Sequence, residues 1–198
     1  AVTPAQLGLP STMNGKLEGW LFPSTYDFDK SMTAKEQLQA MVKNTKDQLN
    51  SLDVRADQLQ EVLTKASIVQ AESPNAANDG KVARVIDNRL SSGMKLQMDS
   101  SVHYVIHKRG TVTTTDADRA NPSPYNSYVH AGLPPTPYNS PGAAAIKAAA
   151  NPTPGPWKYF VTVNQETGET LFSETYDQQL ENEKKFQAWC KANPGRGC

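Results

Sequence analysis

The sequence predicts an α+β fold: a mainly helical domain with one small antiparallel β-hairpin and a long ordered loop. Three observations predict it. Apolar residues recur at helical spacing between residues 34 and 106. Two short runs rich in β-branched and aromatic residues flank Asn164-Gln165-Glu166-Thr167-Gly168 near the C-terminus. The intervening stretch 110–142 is crowded with proline, glycine, tyrosine and asparagine.

Residues 1–30, rich in Gly, Pro, Ser and aromatics, read as an extended or irregular segment that is too apolar for a loose tail and is expected to pack on the rest. Thr33 followed by Glu36 is a capping box, and Leu38, Met41, Val42 and Leu49 keep helical spacing, so a helix is predicted over 34–52. A second helix is predicted from about residue 55. Its stripe of Leu59, Val62, Leu63 and Ala66 gives way at 66–71 to residues apolar almost all round, which requires that end to be buried. Pro74 stops the helix at Ser73. Asp79 is the expected cap of a third helix that carries Val82, Val85, Ile86 and Leu90 and ends at Gly93. Asp99 or Ser100 is expected to cap a short fourth helix through Ile106. Residues 110–142 read as a loop whose length points to binding or catalysis. A short alanine-rich helix over 143–150, strands over 157–163 and 170–173, and a closing helix over 177–191 complete the prediction.

With 198 residues and no sharp shift of composition, a single domain over 1–198 is expected. Lys+Arg and Asp+Glu both number 20, so the formal net charge is zero, which excludes a nucleic-acid binder driven by bulk positive charge. No apolar run approaches the roughly 18 residues needed to cross a bilayer. Cys190 and Cys198 are the two cysteines; they either close a small C-terminal loop in an oxidising compartment or stay free, and their spacing fits no metal motif.

Four kinds of chemistry can be tested on the residues. His103 and His107 stand four apart, a chelating spacing on a helix, but the only further histidine is His130, and both read equally as ordinary helix-face residues. Neither a phosphate-binding glycine loop nor a nucleophile-elbow serine is present, and the cysteines lie at the chain end. What remains is a carboxylic acid. Glu72 follows Ile68 and Val69 by four and three residues on a helix end expected to be buried, where desolvation and the negative end of the helix dipole both raise its pKa, as a general acid requires. The alternative is a solvated helix-end carboxylate.

Ala66-Ser67-Ile68-Val69-Gln70-Ala71-Glu72-Ser73 resembles the signature of the YceG-like family of endolytic murein transglycosylases. Further segments agree in order: Leu17-Glu18-Gly19 with Pro23-Ser24-Thr25-Tyr26; Asn88-Arg89-Leu90, Gly93-Met94 and Leu96-Gln97 with Asp99; Ser123 to Tyr128 followed by Gly132-Leu133-Pro134-Pro135 and Asn139 to Gly142; and Tyr159-Phe160-Val161 with Phe172-Ser173. The resemblance spans nearly the whole chain. Gln70 stands where relatives often carry a second glutamate, Ser100-Ser101 replaces a usual Pro-Thr, and two histidines near the hairpin are missing.

The resemblance implies that Glu72 is the catalytic acid and base in cleavage of the β-1,4 bond between N-acetylmuramic acid and N-acetylglucosamine, leaving a 1,6-anhydro end and needing no cofactor or metal. It implies glycan strands of peptidoglycan and cell-wall synthases as partners. It also implies action on the extracytoplasmic face of the bacterial membrane, with one membrane helix and a LysM-like region ahead of the part seen here. Tyr125 and Tyr128 are expected to offer ring faces to sugars, Asn126 and Asn139 amide hydrogen bonds; either could instead hold the loop's own backbone. Glu18, Asn88, Gln97 and Asp99 are candidates to line the site, Asp99 otherwise being a plain helix cap and Arg89 a structural partner. Two other readings are a muramidase using water, with Asp99 or Glu18 as second carboxylate, and a non-catalytic glycan-binding module of the wall-synthesis machinery.

Overall fold

A computed structural model describes residues 2–9, 16–107 and 113–196. Among the described residues, seven α-helices and one two-stranded antiparallel sheet give the predicted α+β class. Helix α1 (Ala34–Asn50) starts at the predicted capping box: Glu36 donates its N–H to the Thr33 hydroxyl at 3.3 Å, and the Glu36 carboxylate accepts the Thr33 N–H at 2.8 Å. Helix α2 (Leu59–Glu72) starts later than residue 55, because 55–58 is a turn in which Arg55 grips Asp57 at 3.0 and 2.8 Å and the Gln58 N–H reaches the Arg55 carbonyl. Helix α3 (Ala76–Ser91) begins before Asp79. Extended Asn75 takes the cap position directly after Pro74, so Asp79 lies buried inside the first turn and is not the cap.

Helix α4 (Asp99–Ile106) is capped by neither Asp99 nor Ser100; Met98 holds the N-cap position and has no capping side chain. The long loop contains one short helix, α5 (Asp116–Arg119), closed by a Thr115–Asp118 capping box. Helix α6 (Ala143–Ala150) has the predicted bounds. Strands β1 (Tyr159–Asn164) and β2 (Glu169–Ser173) pair with Tyr159 opposite Ser173 and Val161 opposite Leu171. Trp157 stays outside β1 because Asn88 of α3 takes its carbonyl at 2.7 Å. Helix α7 (Tyr176–Ala192), started by a Thr175–Gln178 capping box, lies against the hairpin. Cys190 is disulfide-bonded; Cys198 lies outside the described residues.

Two apolar clusters form the core, and α2 and α6 belong to both. Leu63, Ala66, Ile146 and Ala149 pack with Trp20, Val42 and Leu49; Ile68, Val69, Ala145 and Ala148 pack with Val82, Ile86 and Leu96. Every residue of α2 from Leu63 to Val69 is buried. Even Lys65 is enclosed, its ammonium paired with Asp87 of α3 at 2.7 Å. The burial expected over 66–71 ends at Val69: Gln70 and Ala71 are exposed, and Glu72, the last residue, is half-buried.

The irregular N-terminal segment packs as expected, with Trp20 fully buried and its carbonyl accepting the Thr45 hydroxyl of α1 at 2.9 Å. Gly19 has φ +84°, and a Cβ there would stand 2.5 Å from Cβ and Cγ of Pro137 in the long loop. Gly19→Ala therefore combines a left-handed backbone, worth roughly 1–3 kcal/mol of strain, with a steric clash. Thermal unfolding should show a loss of at least about 2 kcal/mol; an unchanged midpoint would refute the close approach.

Candidate active site

Glu72 is the last residue of α2, and extended Ser73 ahead of Pro74 ends the helix. Its side chain points at the first turn of α4. The Ser100 N–H donates to Glu72 Oε1 at 3.1 Å, and the Ser100 hydroxyl donates to the same oxygen. Thus Glu72, from another helix, supplies the acceptor that Met98 cannot supply at the N-terminus of α4. Oε2 makes no hydrogen bond with the described residues. Buried side-chain atoms lacking a partner among those residues occur only in Gln60 and Gln179, so Oε2 reaches the surface. The residue is half-buried overall, yet the protein packed round its carboxyl raises the pKa above the ordinary glutamic acid value. Burial is the largest cause; the two Ser100 hydrogen bonds and nearby His103 oppose it, and the charge of Asp99 adds to it.

Asp99 heads α4 beside Ser100. Its Oδ1 accepts the hydroxyls of Tyr128 and Thr114, each at 2.7 Å, and faces the Arg119 guanidinium at 3.6 Å. Those partners, rather than the helix's own N–H groups, take the carboxylate, which is why Asp99 is no cap. The Arg119 guanidinium also covers the Tyr128 ring, 4.9 Å from its centroid. Burial and the hydrogen bond to Asp99 push the Tyr128 phenol far up.

Beyond Ser100 the network continues into the fold. The Tyr138 hydroxyl lies 2.8 Å from Ser100 Oγ, and the Tyr138 ring packs on Tyr104 at 5.5 Å, which packs on Tyr125 at 5.1 Å. Tyr104 donates to Glu18 at 2.6 Å, and Lys16 donates to the Tyr104 and Tyr125 hydroxyls at 3.1 and 3.0 Å. Burial and the Glu18 hydrogen bond raise the Tyr104 pKa, while the Lys16 ammonium sits 4.4 Å above the Tyr125 ring.

The structure thus brings Glu72, Asp99 and Tyr128 together and links Glu18 and Tyr125 to them through Tyr104, Tyr138 and Ser100. Tyr125 and Tyr128 each have one face and the hydroxyl occupied within the protein, leaving at most one face for a sugar. Asn126 is corrected outright. It is fully buried, its amide donates to the Arg119 and Asn121 carbonyls at 2.9 and 2.7 Å, and its Oδ1 accepts the Tyr128 N–H, so it shapes the loop. Asn88 likewise spends both amide protons on the Gly155 and Trp157 carbonyls, and Arg89 holds those of Lys158 and Leu96, a structural role without an ion pair among the described residues. Asn139 accepts the Ser140 N–H. Gln97 is exposed, with a left-handed backbone (φ +50°) held by its N–H to the Ser127 carbonyl. His103 and His130 turn Nε2 to the carbonyls of Thr113 and Pro122, and no metal-binding group of three side chains forms among the described residues. Depressions of about 410 and 370 Å³ lie along α7 and beside Trp157; Glu72 lines neither.

Sequence reasoning missed Ser100 as the partner of Glu72, and missed Tyr104, Tyr138 and Lys16. The Glu72-Ser100 pairing joins residues 28 positions apart, which no helical period reveals.

Fold and site define an α+β domain, mainly helical, built around one half-buried glutamic acid. The YceG-like family model matches residues 4–185, and the chain belongs to that family. The endolytic murein transglycosylase of Bacillus subtilis is 32% identical over 176 residues, 86% of this chain and 48% of the relative. That of Streptococcus pneumoniae strain D39 is 35% identical over 154 residues, 74% of this chain and 28% of the relative. A crystal structure of a YceG-like protein from Listeria monocytogenes superposes with a TM-score of 0.73 at 30% identity, over 89% of this chain and 58% of that one. The chain spans about half or less of the length of the named transglycosylases.

Because folding raises the Glu72 pKa, the native state keeps a proton that the unfolded chain has lost, in the window from the ordinary glutamic acid value up to the raised one. Within that window native stability falls as pH rises. Glu72→Gln keeps an acceptor for Ser100 and carries no charge. Thermal unfolding in steps from about pH 4 upward should therefore show the variant gaining on the wild type as pH increases; a difference independent of pH would refute the raised pKa.

Proposed function

We propose that the chain is the catalytic part of a lytic transglycosylase that cleaves glycan strands of peptidoglycan endolytically, with Glu72 as its single general acid and base. The observation that carries this reading is the Glu72 carboxyl: half-buried, raised in pKa, one oxygen pinned by Ser100 and the other without a hydrogen bond among the described residues. The relatives' name, endolytic murein transglycosylase, supplies the substrate class.

Protonated Glu72 donates from Oε2 to the glycosidic oxygen between N-acetylmuramic acid and N-acetylglucosamine, and the bond from that oxygen to C1 of the muramic sugar breaks. The carboxylate then accepts the proton of the muramic 6-hydroxyl as its oxygen attacks C1. The product is a 1,6-anhydro sugar and a new free hydroxyl; the proton count closes without water, and Glu72 ends protonated as it began. The charge of Asp99, whose carboxylate faces Arg119 at 3.6 Å, favours the protonated form of Glu72. Gln97, whose side chain makes no hydrogen bond with the described residues, and Tyr125 and Tyr128, each with at most one ring face left, are the sugar-binding candidates.

Work on the cell wall places the domain on the extracytoplasmic side of the membrane, and the disulfide at Cys190 is consistent with an oxidising compartment. No helix among the described residues is long and apolar enough to cross a membrane.

Peptidoglycan incubated with the chain and read by mass spectrometry should release 1,6-anhydro-muropeptides, and Glu72→Gln should lower that release about 10²–10⁴-fold with the fold intact. A fully active Glu72→Gln sinks the assignment. Products heavier by one water, with reducing muramic ends, would assign a muramidase using Asp99 or Glu18 instead, and strand binding without turnover a non-catalytic module.

A further inference from the structure

We propose that Ser100 is the positioning residue that decides which oxygen of Glu72 carries the working proton, with Tyr138 locking Ser100 in that role; this rests on Glu72 being the acid and base. The argument is a count of protons. A serine hydroxyl has one proton, and that of Ser100 goes to Glu72 Oε1, as does the Ser100 backbone N–H. The 2.8 Å contact between Ser100 Oγ and Tyr138 is then satisfied one way only, with Tyr138 donating. The carboxylate Oε1 receives two donors, and the backbone N–H, which cannot turn round, keeps Oε1 an acceptor in the acid as well. The proton is thereby directed to Oε2, the oxygen without a hydrogen bond among the described residues.

Tyr138 is suited to the locking role. It is buried, and its backbone N–H donates to Ser67 Oγ of α2 at 3.3 Å, five residues before Glu72 on the same helix. Burial and the Glu72 charge raise its phenol far above neutrality, so it stays a donor throughout and relays no proton. Two helices and one loop residue therefore fix the carboxyl plane. Glu72 can switch from acid to base without any partner turning round, because the donors it needs as a carboxylate are the ones it already has as an acid. Both Ser100 hydrogen bonds favour the charged form and oppose burial, so they also set where the acid titrates. The other titratable groups acting on Glu72 are Asp99 and His103 of α4, Arg89 of α3, and Tyr128 of the loop.

The test compares Ser100→Ala, Ser100→Thr and Tyr138→Phe by kcat and kcat/KM against pH on peptidoglycan, and by the carboxyl carbon resonance of Glu72 titrated in the absence of substrate. Ser100→Ala keeps the backbone bond and loses the hydroxyl. It should lower kcat about 10- to 100-fold, the span of a hydrogen bond to a charged group, and move the Glu72 midpoint and the alkaline limb of the profile to higher pH. Ser100→Thr, which restores the hydroxyl, should return both toward wild type, and Tyr138→Phe should shift the midpoint the same way by less. A Glu72 midpoint unmoved in both Ser100→Ala and Tyr138→Phe overturns the proposal, even where kcat falls. The titration requires no turnover. An unmoved midpoint together with an inactive Glu72→Gln thus refutes Ser100 alone, whereas an active Glu72→Gln refutes the acid and base reading itself.

Discussion

The arrangement depends on one contact between two helix ends: the carboxyl at the C-terminus of α2 serves as the missing cap at the N-terminus of α4. Met98 holds the N-cap position of α4 without a side chain able to accept a hydrogen bond, and the Ser100 N–H would otherwise point at nothing within its own helix. Glu72 feels opposed fields there, the negative end of its own helix and the positive end of α4. A hydrogen bond to a charged group is worth about 1.5–3 kcal/mol, whereas taking a carboxylate out of water costs several kcal/mol. The net upward shift says that desolvation wins, with Ser100 recovering part of its cost.

Keeping that contact in place is the work of the long loop. Ser127 accepts the Met98 N–H at 2.8 Å and shares its hydroxyl with Ser101, Tyr128 holds Asp99, and Tyr138 meets Ser100. Loop residues thus fasten 98, 99, 100 and 101 one after another. The prolines and asparagines that suggested a binding loop serve first as a clamp: Asn126 folds the turn from within, and Pro137 closes over Gly19. On the other side, Gln70 of α2 accepts the Gly142 N–H at 2.9 Å, tying the loop's end and the start of α6 to the helix that bears Glu72.

Much of this was legible in the sequence, because helices announce themselves by period and by caps. The Thr33–Glu36 box, the stop at Pro74 and the burial of α2 from Leu63 to Val69 are local or periodic features, and Glu72 emerged from them. Asp79 and Asp99 show the limit. An acidic residue near a helix start reads as a cap, yet α3 begins earlier at Asn75, and the Asp99 carboxylate is claimed by Tyr128, Thr114 and Arg119 from 15 to 29 positions away. Ser100 entered as a candidate helix cap and as a departure from the family's Pro-Thr, not as a partner of Glu72. Proline has neither an N–H nor a hydroxyl, so the substitution changes what Glu72 can receive, but only the approach of α2 to α4 reveals it.

On the proposed reading, one glutamic acid does the work that hydrolases divide between two carboxyl groups, and the geometry bears on how. A second carboxylate is present in Asp99, but its Oδ1 is engaged by two hydroxyls and faces a guanidinium. Its effect on Glu72 is electrostatic and favours the protonated state. Burial raises the pKa of Glu72, and the charge of Asp99 beside it adds to that shift. The carrier must release and recover its proton in place. Donors attached to only one of its oxygens, and in place in both of its charge states, are the simplest frame in which it can.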